Sequence, residues 1–333
     1  MRNVSFLLLF LTVGTAGAAD SLGSGQFRWT SGPPLLTAAQ RPDDPCFSVK
    51  DPSIVRFDNR WHLFCTIRSQ KRTHQIEYIA FDEWKNAQAA PRHVLTITNN
   101  YFCAPQVFWF TPHQRWYLIY QASEQSRKPS LQPAFSTSTN IADPFSWTKP
   151  TFLYETHPQN ITAWIDFWVI CDDSRAHLFF TSNNGLMWRA ETSLTAFPRG
   201  WTKPVIVLRG DIFEASHTYR LKGQEKFLTI IEAQAGARRY YKAYLADRLD
   251  GEWKPLAATR EKPFAAGVNV RDTGAHWTDS FSHGELLRSG YDEHLAVDPA
   301  KLTFLFQGVA DAAQAGKQYG EIPWQLGLLE PVD

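Results

Sequence analysis

Along most of the chain, apolar residues come in short runs, continuous or alternating, that stop at Gly, Pro, Asn or Asp. This punctuation predicts strands joined by turns, and no long segment sustains a helical period. Several runs pair as hairpins. Residues 53–57 turn through Asp58-Asn59-Arg60 into 61–67, and 107–110 turn through Thr111-Pro112-His113-Gln114 into 115–120. Residues 167–170 turn through 171–175 into 176–181, and 217–221 turn through Lys222-Gly223-Gln224-Glu225 into 226–231. A strand over 285–288 turns at Ser289-Gly290, with 301–306 as a further strand nearby.

These units repeat. The residues that open their first strands are Asp51, Ala104, Asp166, Glu214 and His283, at intervals of 53, 62, 48 and 69 residues. A second phrase recurs later in three units, as Trp147-Thr148-Lys149-Pro150, Trp201-Thr202-Lys203-Pro204 and Trp253-Lys254-Pro255. Small antiparallel sheets repeated at ~40–50 residues or more are the mark of a β-propeller. The pattern therefore predicts an all-β fold, a five-bladed β-propeller. In such a fold the innermost strands line a central channel, so equivalent residues far apart in sequence converge on one axis.

The first eighteen residues do not belong to that pattern. Met1-Arg2-Asn3 gives a positive start, residues 4–13 are almost wholly apolar, and Ala16-Gly17-Ala18 is a small-x-small cleavage site. A run of about ten apolar residues is short of the ~20 needed to span a bilayer. Residues 1–18 are read as a signal peptide and 19–333 as one catalytic propeller domain, secreted and extracellular, with no membrane segment and no appended carbohydrate-binding module.

Charge narrows the partners. The chain has 34 Lys+Arg and 33 Asp+Glu, and removal of Arg2 with the leader makes it formally neutral. No run of five like charges occurs, so nucleic acid and polybasic membrane contacts are excluded. The excess is aromatic, with 13 Trp, 11 Tyr and 23 Phe; such rings fill packed layers or form a surface on which something stacks. Four cysteines, Cys46, Cys65, Cys103 and Cys171, lack zinc spacing, and secretion permits disulfides in three full pairings. Cys46–Cys103 is the weakly preferred pair, because each lies near the start of a strand. Asn160-Ile161-Thr162 is a glycosylation acceptor.

Four of the five opening positions carry chemistry: Asp51, Asp166, Glu214 and His283. Convergent carboxylates suit glycoside hydrolysis, in which one protonated acid serves the leaving oxygen and one carboxylate activates water or attacks carbon. A third acid keeps the donor protonated by like-charge repulsion. Glu214, on the longer stem, is the natural donor, Asp51 the base and Asp166 the modulator.

The stretches that hold these residues resemble glycoside hydrolase family 62. They are 49–55 around Asp51, 104–107, 164–173 around Asp166, 213–216 around Glu214 and 282–285 around His283, with matches at 27–35 and 322–329. The resemblance implies a secreted α-L-arabinofuranosidase that removes single side groups from arabinoxylan with inversion and acts as a monomer. Carried over, Asp51 resembles the general base, Glu214 the general acid and Asp166 the modulator of its pKa. His283 resembles the histidine that holds a central calcium ion (Ca2+), otherwise ligated mainly by water. Lys50 and Tyr291 resemble residues that grip the arabinose, and Trp164 is placed to stack near it. Two departures stand out: Ser174-Arg175-Ala176-His177 follows Cys171 where some relatives have a second cysteine, and His217 stands where Asn is expected. An arabinanase or β-xylosidase on the same fold, or a propeller that binds glycans without cleaving them, are the competing readings.

Overall fold

The computed structural model describes residues 18–332. The signal peptide expected over 1–18 lies outside the described residues except for Ala18, which opens a short helix, Ala18–Ser24. Beyond it, five antiparallel sheets follow one another as the blades of a propeller. Blade one holds Asp44–Phe57, Arg60–Ser69 and Gln75–Phe81, flanked by the short strands Gln40–Arg41 and Arg92–Val94. Blade two runs Phe102–Phe110, Arg115–Ser123, Leu131–Ser138, Thr151–Phe152, and blade three Ile165–Cys171, Arg175–Thr181, Leu186–Ser193, Val205–Arg209. Blade four comprises His217–Leu221, Phe227–Ala235, Arg238–Ala246 and Lys254–Ala257, with Ala296–Val297 added in parallel beside its inner strand. The recurrent Trp-Lys-Pro phrases lead into, or begin, the outermost strands of blades two, three and four.

Blade five differs from the sequence reading. Its inner strand is Ser280–Leu286, five residues earlier than the predicted 285–288, so His283 sits inside the strand. Phe304–Val309 and Gln325–Pro331 continue it, Trp29–Ser31 from the other end of the chain follows, and Val270–Asp272 pairs in parallel with Trp29–Ser31 as the outermost strand. Trp29 pairs opposite Pro331 and Ser31 opposite Leu329. Segments from both ends of the chain are thereby joined in one blade by backbone hydrogen bonds, which closes the ring.

Blades stack face to face, so their middle strands are buried on both sides and carry continuous rather than alternating apolar runs. In Arg115–Ser123 every residue from Trp116 to Ala122 is buried. Ring contacts join neighbouring blades: Trp147 meets Phe64 at 5.5 Å, Trp116 meets Phe57 at 5.1 Å, and Tyr219 meets Trp168 at 5.5 Å. Burial of one such large side chain is worth ~1.5–3 kcal/mol. None of the thirteen tryptophans is fully exposed. The aromatic excess is therefore spent on packing between blades.

All four cysteines are buried free thiols, which corrects the preferred Cys46–Cys103 pairing. Each sulfur already has local company: Cys46 accepts from Arg41 at 3.1 Å, and Cys103 lies 3.1 Å from both the Tyr101 hydroxyl and Gln121 Nε2. Asn160 donates from its Nδ2 to the Pro204 carbonyl at 2.9 Å.

Candidate active site

The inner strands do more than line the axis. Four of them slip register at the same level, between Lys50 and Ser53, Cys103 and Gln106, Ile165 and Trp168, and Ser282 and Gly284. Such bulges re-aim side chains. Asp51, Ala104 and Asp166 adopt left-handed backbone there, with φ of 48°, 51° and 55°, and Ala215 does so at 51° just before the inner strand of blade four. For non-glycine residues this costs on the order of 1 kcal/mol or more each. It also removes the N–H from the ladder, and in every case a side chain accepts it. Asp51 N–H donates to Gln307 Oε1 at 2.7 Å, Ala104 N–H to Thr66 Oγ1 at 2.9 Å and Asp166 N–H to Gln121 Oε1 at 3.3 Å. Ala215 N–H donates to Asp166 Oδ2 at 3.1 Å. The device fixes Asp51 and Asp166 on the axis and locks the Glu214 loop to Asp166.

Lys50, Asp51, Asp166, Glu214 and His283 all line one cavity of about 360 Å³ at the mouth of the channel. The three acids and the imidazole are each at most 8 % exposed. His283 Nδ1 stands 3.5 Å from Asp51 Oδ1 and 3.6 Å from Asp166 Oδ2. Burial opposes the imidazolium, but the Asp166 and Asp51 charges outweigh it and raise His283 to about 9.

The two outer acids are pushed in opposite directions. Burial raises Glu214 well above the ordinary range, helped by the Glu232 and Asp166 charges and only partly offset by Arg239. Burial also works against the Asp51 carboxylate, yet Lys50, His283 and the Thr66 hydroxyl together bring it below its ordinary value. One cavity thus holds a carboxylic acid and a carboxylate.

Two of the predicted residues do not reach this cavity. Trp164 is a core ring: its Nε1 donates to the Leu131 carbonyl at 2.6 Å, and it packs edge-on against Phe167 and Phe180. Tyr291 lies against Phe57 and Trp116, with Phe57 at the end of the strand Asp44–Phe57 that carries Asp51. The turn after His283's strand carries it away from the mouth.

In their place stand residues that the sequence pattern did not flag. Arg239 Nη1 contacts Glu214 Oε1 at 3.4 Å and Glu232 Oε1 at 3.0 Å, with its guanidinium 3.9 Å from the Phe213 ring centre. Glu232, fully buried, accepts the His283 N–H at 2.7 Å and the Ser282 hydroxyl at 3.0 Å. Asn183 Nδ2 donates to Glu214 Oε2 at 3.3 Å. Tyr319, on a single helical turn before the last strand, sets its ring 4.6 Å from Lys50 Nζ. These groups come from second and third strands or from connections, where no periodic signal marks them. His217, the departure from the expected Asn, stacks on Trp168 at 4.1 Å and donates to the Gly284 carbonyl at 2.7 Å, supporting His283 from below.

Known proteins carry the same architecture. The chain is 37% identical over 312 residues to α-L-arabinofuranosidase C of Cellvibrio japonicus, a match that covers 91% of this chain and 46% of the relative, so the chain spans about half the length of that protein. The catalytic domain of the Coprinopsis cinerea family 62 α-L-arabinofuranosidase superimposes with a TM-score of 0.86 at 36% identity, over 92% of this chain and 98% of that one. A family 62 hydrolase crystallised with xylotriose gives 0.86 at 34% identity, over 93% and 99%. Residues 28–330, from the strand that closes the ring to the last strand of blade five, match the profile of glycosyl hydrolase family 62. With the propeller, the axial acids and these matches in agreement, the chain belongs to glycosyl hydrolase family 62.

Proposed function

We propose that the protein is a secreted α-L-arabinofuranosidase that removes single arabinofuranosyl groups from arabinoxylan by inverting, single-displacement hydrolysis. The observation that carries this reading is the opposite displacement of two carboxyls in one cavity, Glu214 upward and Asp51 downward. An inverting enzyme needs both states at neutral pH. Glu214 gives its proton to the xylose oxygen as the bond from the anomeric carbon to that oxygen breaks. A water forms the new bond on the opposite face and yields its proton to Asp51. Solvent then restores a proton to Glu214 and removes one from Asp51. Asp166 holds the Glu214 loop through Ala215 N–H, and its charge is one of the causes that keep Glu214 protonated. Lys50, buried beside Asp51, favours the base form.

The relative crystallised with xylotriose supports a xylose backbone lying across the cavity mouth. The leader-like residues 1–18 support secretion, and a formally neutral chain suits a neutral polymer acted on by a monomer. Calcium is proposed at the same axis. It takes six to eight oxygens, and among the described residues no cluster of three His, Cys, Asp or Glu side chains encloses a metal by itself. The partners the axis offers are Asp51 Oδ1 and Asp166 Oδ2, 3.5 and 3.6 Å from His283 Nδ1; calcium would have to replace the proton that these carboxylates favour on His283, and water would complete its shell. A bound calcium would supply positive charge that holds the two carboxylates together. Incubation with wheat arabinoxylan tests the main reading. Free arabinose should be released, and Glu214→Gln should release almost none; absence of arabinose with the unaltered protein contradicts the proposal.

A further inference from the structure

A second cavity, of about 350 Å³, adjoins the catalytic one and shares Arg239 as a wall. It is formed where the long connection between blades four and five, from Ala257 to Ser280, folds back over the third strand of blade four. Arg238, Arg239, Arg260 and His276 line it against a single carboxylate, Asp279. Arg239 is held by Glu214 and Glu232, and Arg238 by Asp311 at 2.7 Å and Asp279 at 3.4 Å. Arg260 is different. It is exposed, its Nη2 donates to the Gln234 carbonyl at 3.3 Å, it lies beside the Tyr240 hydroxyl and acts on the Asp211 charge from a distance, and it forms no salt bridge among the described residues. Ala266 and the exposed Val268 add a small apolar surface beside it.

From this arrangement we infer that the cavity is a subsite for the carboxylate of a uronic acid carried on a xylose near the one that bears arabinose. The inference rests on the arabinoxylan reading above, and it adds a substrate class: acidic, glucuronosyl-bearing arabinoxylan. In the catalytic cavity the cations Lys50, His283 and Arg239 are already engaged by Asp51, Asp166, Glu214 and Glu232, and so are not available to such a group. An exposed guanidinium not committed to a salt bridge can meet a carboxylate with two parallel hydrogen bonds, while the apolar patch accommodates the sugar face. No bond is made or broken in this step.

Calorimetry on the full chain tests the subsite apart from catalysis, with two arabinose-free probes at ~20 mM salt, where charge is little screened. One is a xylotetraose bearing a single glucuronic acid, the other plain xylotetraose. The acidic sugar should bind about fivefold tighter or more. Arg260→Gln should abolish that advantage, Arg260→Glu should reverse it, and ~0.5 M salt should erase it. Equal affinities in the unaltered protein, no binding of either sugar, or an advantage that survives both Arg260 variants would overturn the proposal. Hydrolysis of an aryl α-L-arabinofuranoside, too small to reach the second cavity, reports separately on the catalytic reading and should be unchanged by both variants.

Discussion

At the scale of single residues, what matters is that one cavity holds two carboxyls in different protonation states. Glu214 is protonated because burial and two neighbouring acids disfavour its charge, and Asp51 is ionised because two cations outweigh its burial. Rate should fall at low pH as Asp51 takes a proton, below its ordinary range, and at high pH as Glu214 loses one, well above the ordinary carboxylate range. Glu214→Gln and Asp51→Asn should each lower kcat by ~10²-fold or more, and each should flatten its own limb of the pH profile. A near-normal rate in either removes that assignment. Asp166→Asn deletes one of the charges that raise Glu214, so the alkaline limb should move to lower pH; a limb that stays in place contradicts the role of Asp166 as modulator. Chelation tests the proposed calcium: melting temperature and activity should both drop and return with added calcium, whereas no change leaves His283 without a metal.

Among elements, the inner strands are the functional unit, and their bulges explain why equivalent positions converge. The N–H groups freed by each bulge are buried, and an unpaired one costs ~1–3 kcal/mol. Thr66→Val, which leaves Ala104 N–H without its acceptor, should destabilise by about that amount, and because the Thr66 hydroxyl also favours the Asp51 carboxylate, it should move the acid limb of the rate to higher pH. Gln307→Leu frees the Asp51 N–H and should lower both stability and kcat. An unchanged kcat in Gln307→Leu would contradict the view that Gln307 positions the base. Five inner strands and all three acids could be read from the sequence, because hairpin punctuation and opening residues repeat with the blades. Arg239, Glu232 and Tyr319 could not, since second strands, third strands and connections have no register to align. Tyr291 was misplaced for a related reason: nearness in sequence to His283 does not show to which end of the channel a turn leads.

For the whole molecule, the decisive contact is the one that closes the ring. Trp29–Ser31 supplies the strand next to Gln325–Pro331, and Trp29 is nearly wholly buried, with its Nε1 on the Phe264 carbonyl at 2.6 Å. Periodicity predicted five blades but gave no sign that the fifth borrows a strand from the start of the chain, because a three-residue strand carries too few positions to show alternation. Removal of residues 1–31 should expose the edge of blade five and give aggregated or unfolded protein, whereas removal of residues 1–23 should leave the melting transition in place. A soluble, cooperatively melting product from the longer truncation would show that the closure is dispensable. With the ring closed, Asp51, Asp166 and His283 from the inner strands and Glu214 from the loop before blade four's inner strand converge on one cavity, where the proposed reaction needs its acid, base and modulator. The central claim is single displacement at that sugar, and proton NMR of the first arabinose released from arabinoxylan tests it most directly. The account predicts that the β-anomer appears first and then mutarotates; initial release of the α-anomer would contradict it.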